Sequence, residues 1–376
     1  MNQKIINLRR ELHQHPEISN REHNTSKRII NFIKEYKPDE LVLLGETGVL
    51  FVFSGTEKGK TILFRSELDA LLIKETTEVE YKSVNNNVSH ACGHDGHMAI
   101  LAGLAEEISS NRPKAGKVVL LFQPAEEIEQ GARDVLENPK FISLNPDYIF
   151  ALHNVPGFKK HRIFLKKGSF ASGSKGMTIQ LTGKTAHAAE PQNGISPAAA
   201  ISQIINKLHN LKESKTLFSD FILLTIVHIQ LGEISFGTSH GYAEIRITLR
   251  AFENADMDLL THQCEKIIQD ISRSEKLGCK ITFNEVFPAT VNENECVDIV
   301  EQSAKQIGLE TEHLKTPFKW SEDFGYYTEK YAACYFGLGS GKDQPQLHNP
   351  DFNFPDDIIE TGTELFYTVY KNILKA

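Results

Sequence analysis

The sequence predicts a layered α/β domain interrupted by a ferredoxin-like βαββαβ insertion. Short β-rich apolar runs alternate with helical periodicity up to residue 152. The order changes to strand, helix, strand, strand, helix, strand from Lys175, and α/β alternation resumes after about residue 290. Alternation of the first kind marks a sheet covered by helices, and the second order is that of a split βαβ sandwich.

Residues 3–36 place apolar side chains at helical spacing, interrupted near Pro16, whose ring and missing N–H disfavour a continuous helix. Strands are expected at 48–54 and 61–65, a helix at 94–110, a strand at 117–122, a helix near 131–137 and a strand at 148–152. The insertion reads as a strand at 175–181, a helix at 196–212, strands at 221–228 and 241–250, a helix at 255–273 and a strand at 278–284. A helix at 293–307, a strand around 334–337 and an amphipathic helix at 356–374 complete the chain. The flanks at 168–173 and 287–290 carry few periodic apolar positions. Domain boundaries therefore fall there, with residues 1–172 and 288–376 forming one domain and 173–287 the inserted one.

With 376 residues, two domains are the natural expectation. A net charge of -8 and the lack of a basic block argue against nucleic acid or an anionic membrane as partner. The 5 cysteines include no Cys-x-x-Cys pair, which disfavours a disulfide framework or a zinc ribbon. The N-terminal residues hold no apolar signal core, and no run approaches the roughly 18 apolar residues of a membrane span, so a cytoplasmic location is expected.

The chemistry is concentrated in residues 89–97, Ser-His-Ala-Cys-Gly-His-Asp-Gly-His, and in the carboxylate pair Glu126-Glu127. A thiolate (Cys92), imidazoles (His90, His94, His97) and carboxylates together suit a borderline divalent ion such as zinc. Glu67 and Asp69 follow the 61–65 strand, Glu126 and Glu127 follow 117–122, and His153 closes 148–152. Ligand crevices of open α/β sheets lie at the carboxyl ends of strands, so three segments converge on one site. Cys92 and His94 precede a helix, whose N-terminal dipole favours a thiolate. Taken singly, each residue has a blander reading, as a strand-end histidine, a helix cap or a buried thiol. Joint occurrence favours metal-assisted hydrolysis. His13, His15, His23, His161, His209, His262 and His313 read as structural.

These residues resemble a known family. Leu8-Arg9-Arg10-Glu11-Leu12-His13 with Pro16-Glu17, Arg65-Ser66-Glu67-Leu68-Asp69-Ala70-Leu71, His90-Ala91-Cys92-Gly93-His94-Asp95, Gln123-Pro124-Ala125-Glu126-Glu127, Leu152-His153-Asn154, Gly183-Lys184-Thr185-Ala186-His187-Ala188-Ala189 and Leu347-His348-Asn349-Pro350 are similar to the zinc aminoacylase, hippurate hydrolase and auxin-conjugate hydrolase branch of the di-metal M20 peptidases. The motifs follow family order along nearly the whole chain.

The resemblance implies that Cys92, His94, Glu127, His153 and His348 hold two divalent ions, zinc first, with manganese, cobalt or nickel as alternatives. If Cys92 bridges the ions, five residues supply six bonds and a bridging water two more, which suits two ions of about four ligands each. It implies Glu126 as general base, Asp69 as a residue orienting a ligand, and His187 as the group polarising the scissile carbonyl. Arg250, with Arg246 as a competing choice, would sit near the substrate carboxylate. The first domain becomes the di-metal catalytic domain and the insertion a lid and dimerisation domain through which a homodimer forms. The activity implied is hydrolysis of the amide bond of N-acyl amino acids or related small conjugates.

The chain departs from the family pattern in places. Gly237-Thr238-Ser239-His240 stands where relatives read Asn-x-Ile-Pro, removing an Asn that helps hold the substrate carboxylate, and leaves His240 as a candidate substrate contact. Leu72 replaces a usual Pro and Ile128 a small residue. The alternatives are a dipeptidase or carboxypeptidase, a thiol hydrolase using Cys92, and an inactive binding paralogue.

Overall fold

A computed structural model describes residues 2–212 and 216–374. The chain divides into two compact units. Unit 1 comprises residues 1–170, 290–316 and 323–376, and unit 2 comprises 171–289 and 317–322.

Unit 1 begins with helices α1 (Gln3–Gln14) and α2 (His23–Lys34), separated around Pro16 as the sequence suggested. Then follow β1 (Glu40–Leu44), β2 (Gly48–Ser54), β3 (Glu57–Glu67), α3 (His94–Ser110), β4 (Ala115–Gln123), α4 (Gly131–Glu137), α5 (Pro139–Leu144), β5 (Tyr148–Pro156), β6 (Ile163–Leu165) and β7 (Gly168–Ala171). Unit 2 holds β8 (Gly173–Thr182), β9 (Ala186–His187), α6 (Ala198–Lys212), β10 (Ile222–Leu231), β11 (Thr238–Ser239), β12 (Tyr242–Ala251), α7 (Asn254–Ser274) and β13 (Gly278–Phe287). The chain then returns to unit 1 with β14 (Thr290–Asn292), α8 (Asn294–Gln306), β15 (Thr311–His313), α9 (Gly325–Thr328), β16 (Ala332–Gly341) and α10 (Ile358–Leu374).

The main sheet of unit 1 is eight-stranded, in the order β1-β2-β4-β3-β5-β16-β6-β15. Its centre, β4-β3-β5-β16, is parallel. Every residue of β5 is buried, as expected of a parallel strand covered on both faces. Helix α3 is buried on nearly all sides through Ala105, and its Met98, Leu101 and Leu104 join the core with Leu8 and Leu12 of α1 and Leu365 and Val369 of α10. A helix apolar around its circumference has to lie inside.

In unit 2, β8, α6, β10, β12, α7 and β13 realise the βαββαβ order, with an antiparallel sheet β10-β12-β8-β13. Ala243, Ile245, Ile247 and Leu249 of β12 point into the core alongside Ile204, Leu208, Leu260 and Ile268 of the two helices, while Glu244, Arg246 and Thr248 alternate outward. No helix among the described residues is long and apolar enough to cross a membrane.

Three details differ from expectation. Elements β1, β6, β7, β9, β11, β14, β15, α5 and α9 were not anticipated, because two to six residues are too few to display a period. His153 lies inside β5 rather than at its end, since the strand continues to Pro156. Residues 317–322 belong to unit 2 instead of the first domain: Ser172 donates its N–H to Phe318 O (3.0 Å), and Arg250 Nη1 donates to Lys319 O (2.9 Å).

Candidate metal centre

The strand order places the carboxyl ends of β4, β3 and β5 side by side, with Glu126 and Glu127 just beyond β4 and Asp69 just beyond β3. The turn after β4 is tightly held. Ala125 adopts φ 52° and donates its N–H to Glu22 Oε1 (2.9 Å), Glu129 N–H donates to Glu126 O (2.9 Å), and Glu127 N–H donates to Asp69 Oδ2 (3.0 Å).

Cys92 and His94 flank Gly93, which caps α3 at φ 93°. Only glycine suits this position: φ lies in the left-handed region, and a Cβ would stand 2.4 Å from Asn154 Oδ1. Three imidazoles are aimed by their hydrogen bonds or backbone. His94 Nδ1 lies 2.9 Å from Asp69 O and donates to it, leaving the Nε2 lone pair 3.9 Å from Glu126 Oε2 and 4.0 Å from Glu127 Oε1. His153 donates Nδ1–H to Asn154 O (2.8 Å), so its Nε2 lone pair faces Cys92 Sγ at 3.3 Å. His348 adopts φ 64°, donates its N–H to Ala91 O (2.8 Å) and brings Nε2 to 3.5 Å from Glu127 Oε1.

The ligand atoms form overlapping groups in which all lie within 4.8 Å of one another: Cys92 with His94 and His153, Cys92 with Glu127 and His348, and His94 with Glu126 and Glu127. Cys92 belongs to the first two. Glu127 Oε1 is buried without a hydrogen-bond partner among the described residues. Lone pairs of imidazole, carboxylate and sulfur pointing at one another are unfavourable unless a cation lies between them, so this donor set fits divalent metal. Burial, reinforced by neighbouring His97, holds the His153 imidazole well below its ordinary pKa and keeps it neutral, the form that ligates. Burial alone would raise the Asp69 carboxyl; hydrogen bonds and charge from His94, Ser19 Oγ and the Glu127 N–H outweigh it and hold it below the usual range.

Asp69 thus bonds two candidate ligands, His94 through its carbonyl and Glu127 through its carboxylate. Two further histidines near these residues read differently in the sequence, His13 as structural and His97 as one of the metal-capable imidazoles. His13 lies buried between Asp95 Oδ2 (2.8 Å) and Glu75 Oε1 (3.1 Å), and Arg9 Nε stands 3.1 Å from the same Asp95 oxygen. His97 contacts Glu67 Oε2 at 2.8 Å. Its spacing three residues beyond His94 on a helix was the available signal.

Within unit 2, His187 on β9 pairs with Thr238 of β11. Its Nδ1 accepts the Ala189 N–H (3.1 Å), so Nε2 carries the proton and the exposed ring offers a donor. His240 packs against Gly232, where a Cβ would stand 2.0 Å from the ring. Of the two arginines on β12, Arg246 is engaged by Glu244 (2.7 Å), whereas Arg250 donates to Lys319 O and to Ser321 Oγ (3.0 Å). The structure does not bring Arg250 together with His187 and His240. Those histidines lie at the Tyr242 end of β12, and Arg250 stands eight residues further along, about 26 Å at ~3.3 Å per residue.

Residues 63–372 match the description Peptidase family M20/M25/M40. The chain belongs to this family. Its M20 relatives include a hippurate hydrolase of Campylobacter jejuni, 30% identical over 98% of this chain and 96% of the relative, and an N-acetylcysteine deacetylase of Bacillus subtilis, 30% identical over 96% and 95%. Among solved M20 structures, the Bacillus subtilis YXEP protein, described as a dinuclear metal binding peptidase, superposes with a TM-score of 0.85 at 28% identity, covering 99% of this chain and 98% of that one.

Proposed function

We propose that this M20 protein is a metal-dependent amidohydrolase that releases the acyl group from N-acyl amino acids or related small conjugates. The observation that carries the reading is the placement of two adjacent carboxylates at the cluster of metal-capable side chains. Glu127 faces His348 and belongs to a group with Cys92, whereas Glu126 lies beside His94 outside that group. In this reading Glu127 binds metal and Glu126 moves a proton.

Cys92, His94, Glu127, His153 and His348 would hold two divalent ions, zinc first, with manganese, cobalt or nickel as alternatives. Such ions supply Lewis acidity and a water acidified towards neutral pKa. Glu126 accepts the proton of the attacking water and returns it to the leaving nitrogen. His187 Nε2–H donates to the oxyanion that develops on the scissile carbonyl. Arg250 binds the substrate carboxylate, and His240 is a further substrate contact.

A small substrate cannot span the distance between Arg250 and His187 within one chain, so the working site takes these groups from two copies. Edge strand β10 is suited to joining them, since Val227, Ile229 and Leu231 are exposed on it.

The test is a screen of metal-reconstituted protein against hippurate, N-acetylcysteine, other N-acyl amino acids and unblocked dipeptides, with a chelator control. Turnover of N-acyl substrates that chelation abolishes is expected. Cleavage of dipeptides alone would favour the dipeptidase alternative, and chelator-resistant activity would favour a thiol hydrolase.

A further inference from the structure

His97 belongs to the nine-residue motif yet has no part in the mechanism above, and its surroundings assign it one. It is buried, and both ring nitrogens are engaged. Glu67 Oε2 lies 2.8 Å from Nδ1, and Glu67 is itself held by Arg65, which also bonds Gln123 Oε1 (3.0 Å) and Asp323 Oδ1 (2.5 Å). A carboxylate only accepts, so it takes the Nδ1–H, and the neutral ring keeps its Nε2 lone pair. That lone pair accepts the backbone N–H of Asn154 at 3.2 Å, and Asn154 Oδ1 stands 2.7 Å away. An oxygen offers no proton to a lone pair, so the bonding network assigns the Asn154 amide with its Nδ2, buried and without a hydrogen-bond partner among the described residues, turned to donate to His97. The carbonyl of the same residue accepts Nδ1–H of His153, whose Nε2 faces Cys92. The two rings pack edge to face, with centroids 4.8 Å apart.

We propose that His97 is a positioning residue: anchored by Arg65 and Glu67, it fixes Asn154 so that the Asn154 carbonyl locks His153 in the Nδ1–H tautomer with Nε2 presented to metal. The chain of bonds runs through backbone at Asn154, so the Asn154 side chain is not the essential link. Partners beyond the ligands typically govern about 10- to 100-fold in metal affinity. The proposal rests on His153 being a ligand, and its test is built to separate the two.

His97→Asn keeps a polar group near Glu67 but falls short of Asn154, whereas His97→Gln can reach both. Zn2+ titration of the metal-free proteins by calorimetry should show one of two sites weakened about 10- to 100-fold in His97→Asn, with the other unchanged and the affinity largely restored in His97→Gln. Independently of metal, 15N NMR of histidine-labelled apoprotein should report Nδ1–H for His153 in wild type and Gln variant, and a mixture of tautomers in the Asn variant. Wild-type binding at both sites and an unmixed His153 tautomer in His97→Asn would overturn the proposal, as would equal weakening in the Asn and Gln variants, which would mark a packing role. If wild-type protein bound no metal, the hydrolase reading would fail, while the tautomer measurement would still decide the role of His97.

Discussion

Cys92 Sγ lies 3.3 Å from His153 Nε2, a thiol and an imidazole lone pair drawn from the N-terminus of α3 and from a neighbouring strand. Their approach depends on Gly93, because any side chain there would collide with Asn154 beside His153.

Replacing Cys92 with Ser should lower metal content and activity together, since a hydroxyl is a far poorer ligand than a thiolate. Metal analysis of the purified variant checks this. Two ions retained at wild-type affinity would make Cys92 structural.

Glu126→Gln should keep fold and metal while losing about 10²- to 10⁴-fold in kcat, the range for a general base. Steady-state kinetics on metal-loaded protein are the measurement, and near-full activity would remove Glu126 from the mechanism.

His187→Ala should leave metal content unchanged and lower kcat by about 10²- to 10³-fold, as for loss of one oxyanion donor. Mixing this variant with an Arg250→Ala variant should restore part of the activity if copies exchange and each site draws on two chains. No recovery from exchanged hybrids would argue for single-chain sites.

Gly93→Ala should destabilise the fold by at least about 1–3 kcal/mol from the left-handed backbone alone, with further loss from displacing Asn154. Urea unfolding gives the stability, and metal titration of the folded fraction should show weakened binding at Cys92 and His153.

The buried cluster of Arg9, His13, Asp95 and Glu75 should make stability pH-dependent. Burial works against a charged His13, but Asp95 and Glu75 outweigh it and raise its pKa. That contribution is complete below the unfolded histidine value of about 6.5 and is lost as pH rises through the higher folded value. The Glu75 carboxyl is held below its ordinary value despite burial, chiefly by His13 and Thr77, so its contribution is present above about 4.3 and is lost as pH falls through the folded value. The metal-free protein should therefore lose melting temperature as pH rises above ~6.5. A His13→Gln variant should lack that slope, and an unchanged slope would clear His13 of the effect.

What the sequence determined by itself is what local chain pattern can encode. The βαββαβ order of the insertion follows from periodicity within each segment, and the gathering of Cys92, His94, Glu127 and His153 follows from short spacings and from the tendency of parallel strands to collect their carboxyl ends at one edge. Elements such as β6 and β15, three residues each, leave no periodic trace and form through pairing with strands already in place. Tertiary structure alone decided relationships that depend on which distant segments become neighbours. The placement of β3 beside β5 brings Glu67 to His97 and, through Asn154, to His153. The packing of α1 on α3 turns His13, which reads as structural, into the partner of Asp95, next to a proposed ligand. The continuous pairing of β12 with β8 sets Arg250 at one end of the sheet and Tyr242 at the other, with His187 beyond the Tyr242 end on the separate β9-β11 pair, because an extended strand cannot shorten the distance that its residues must span.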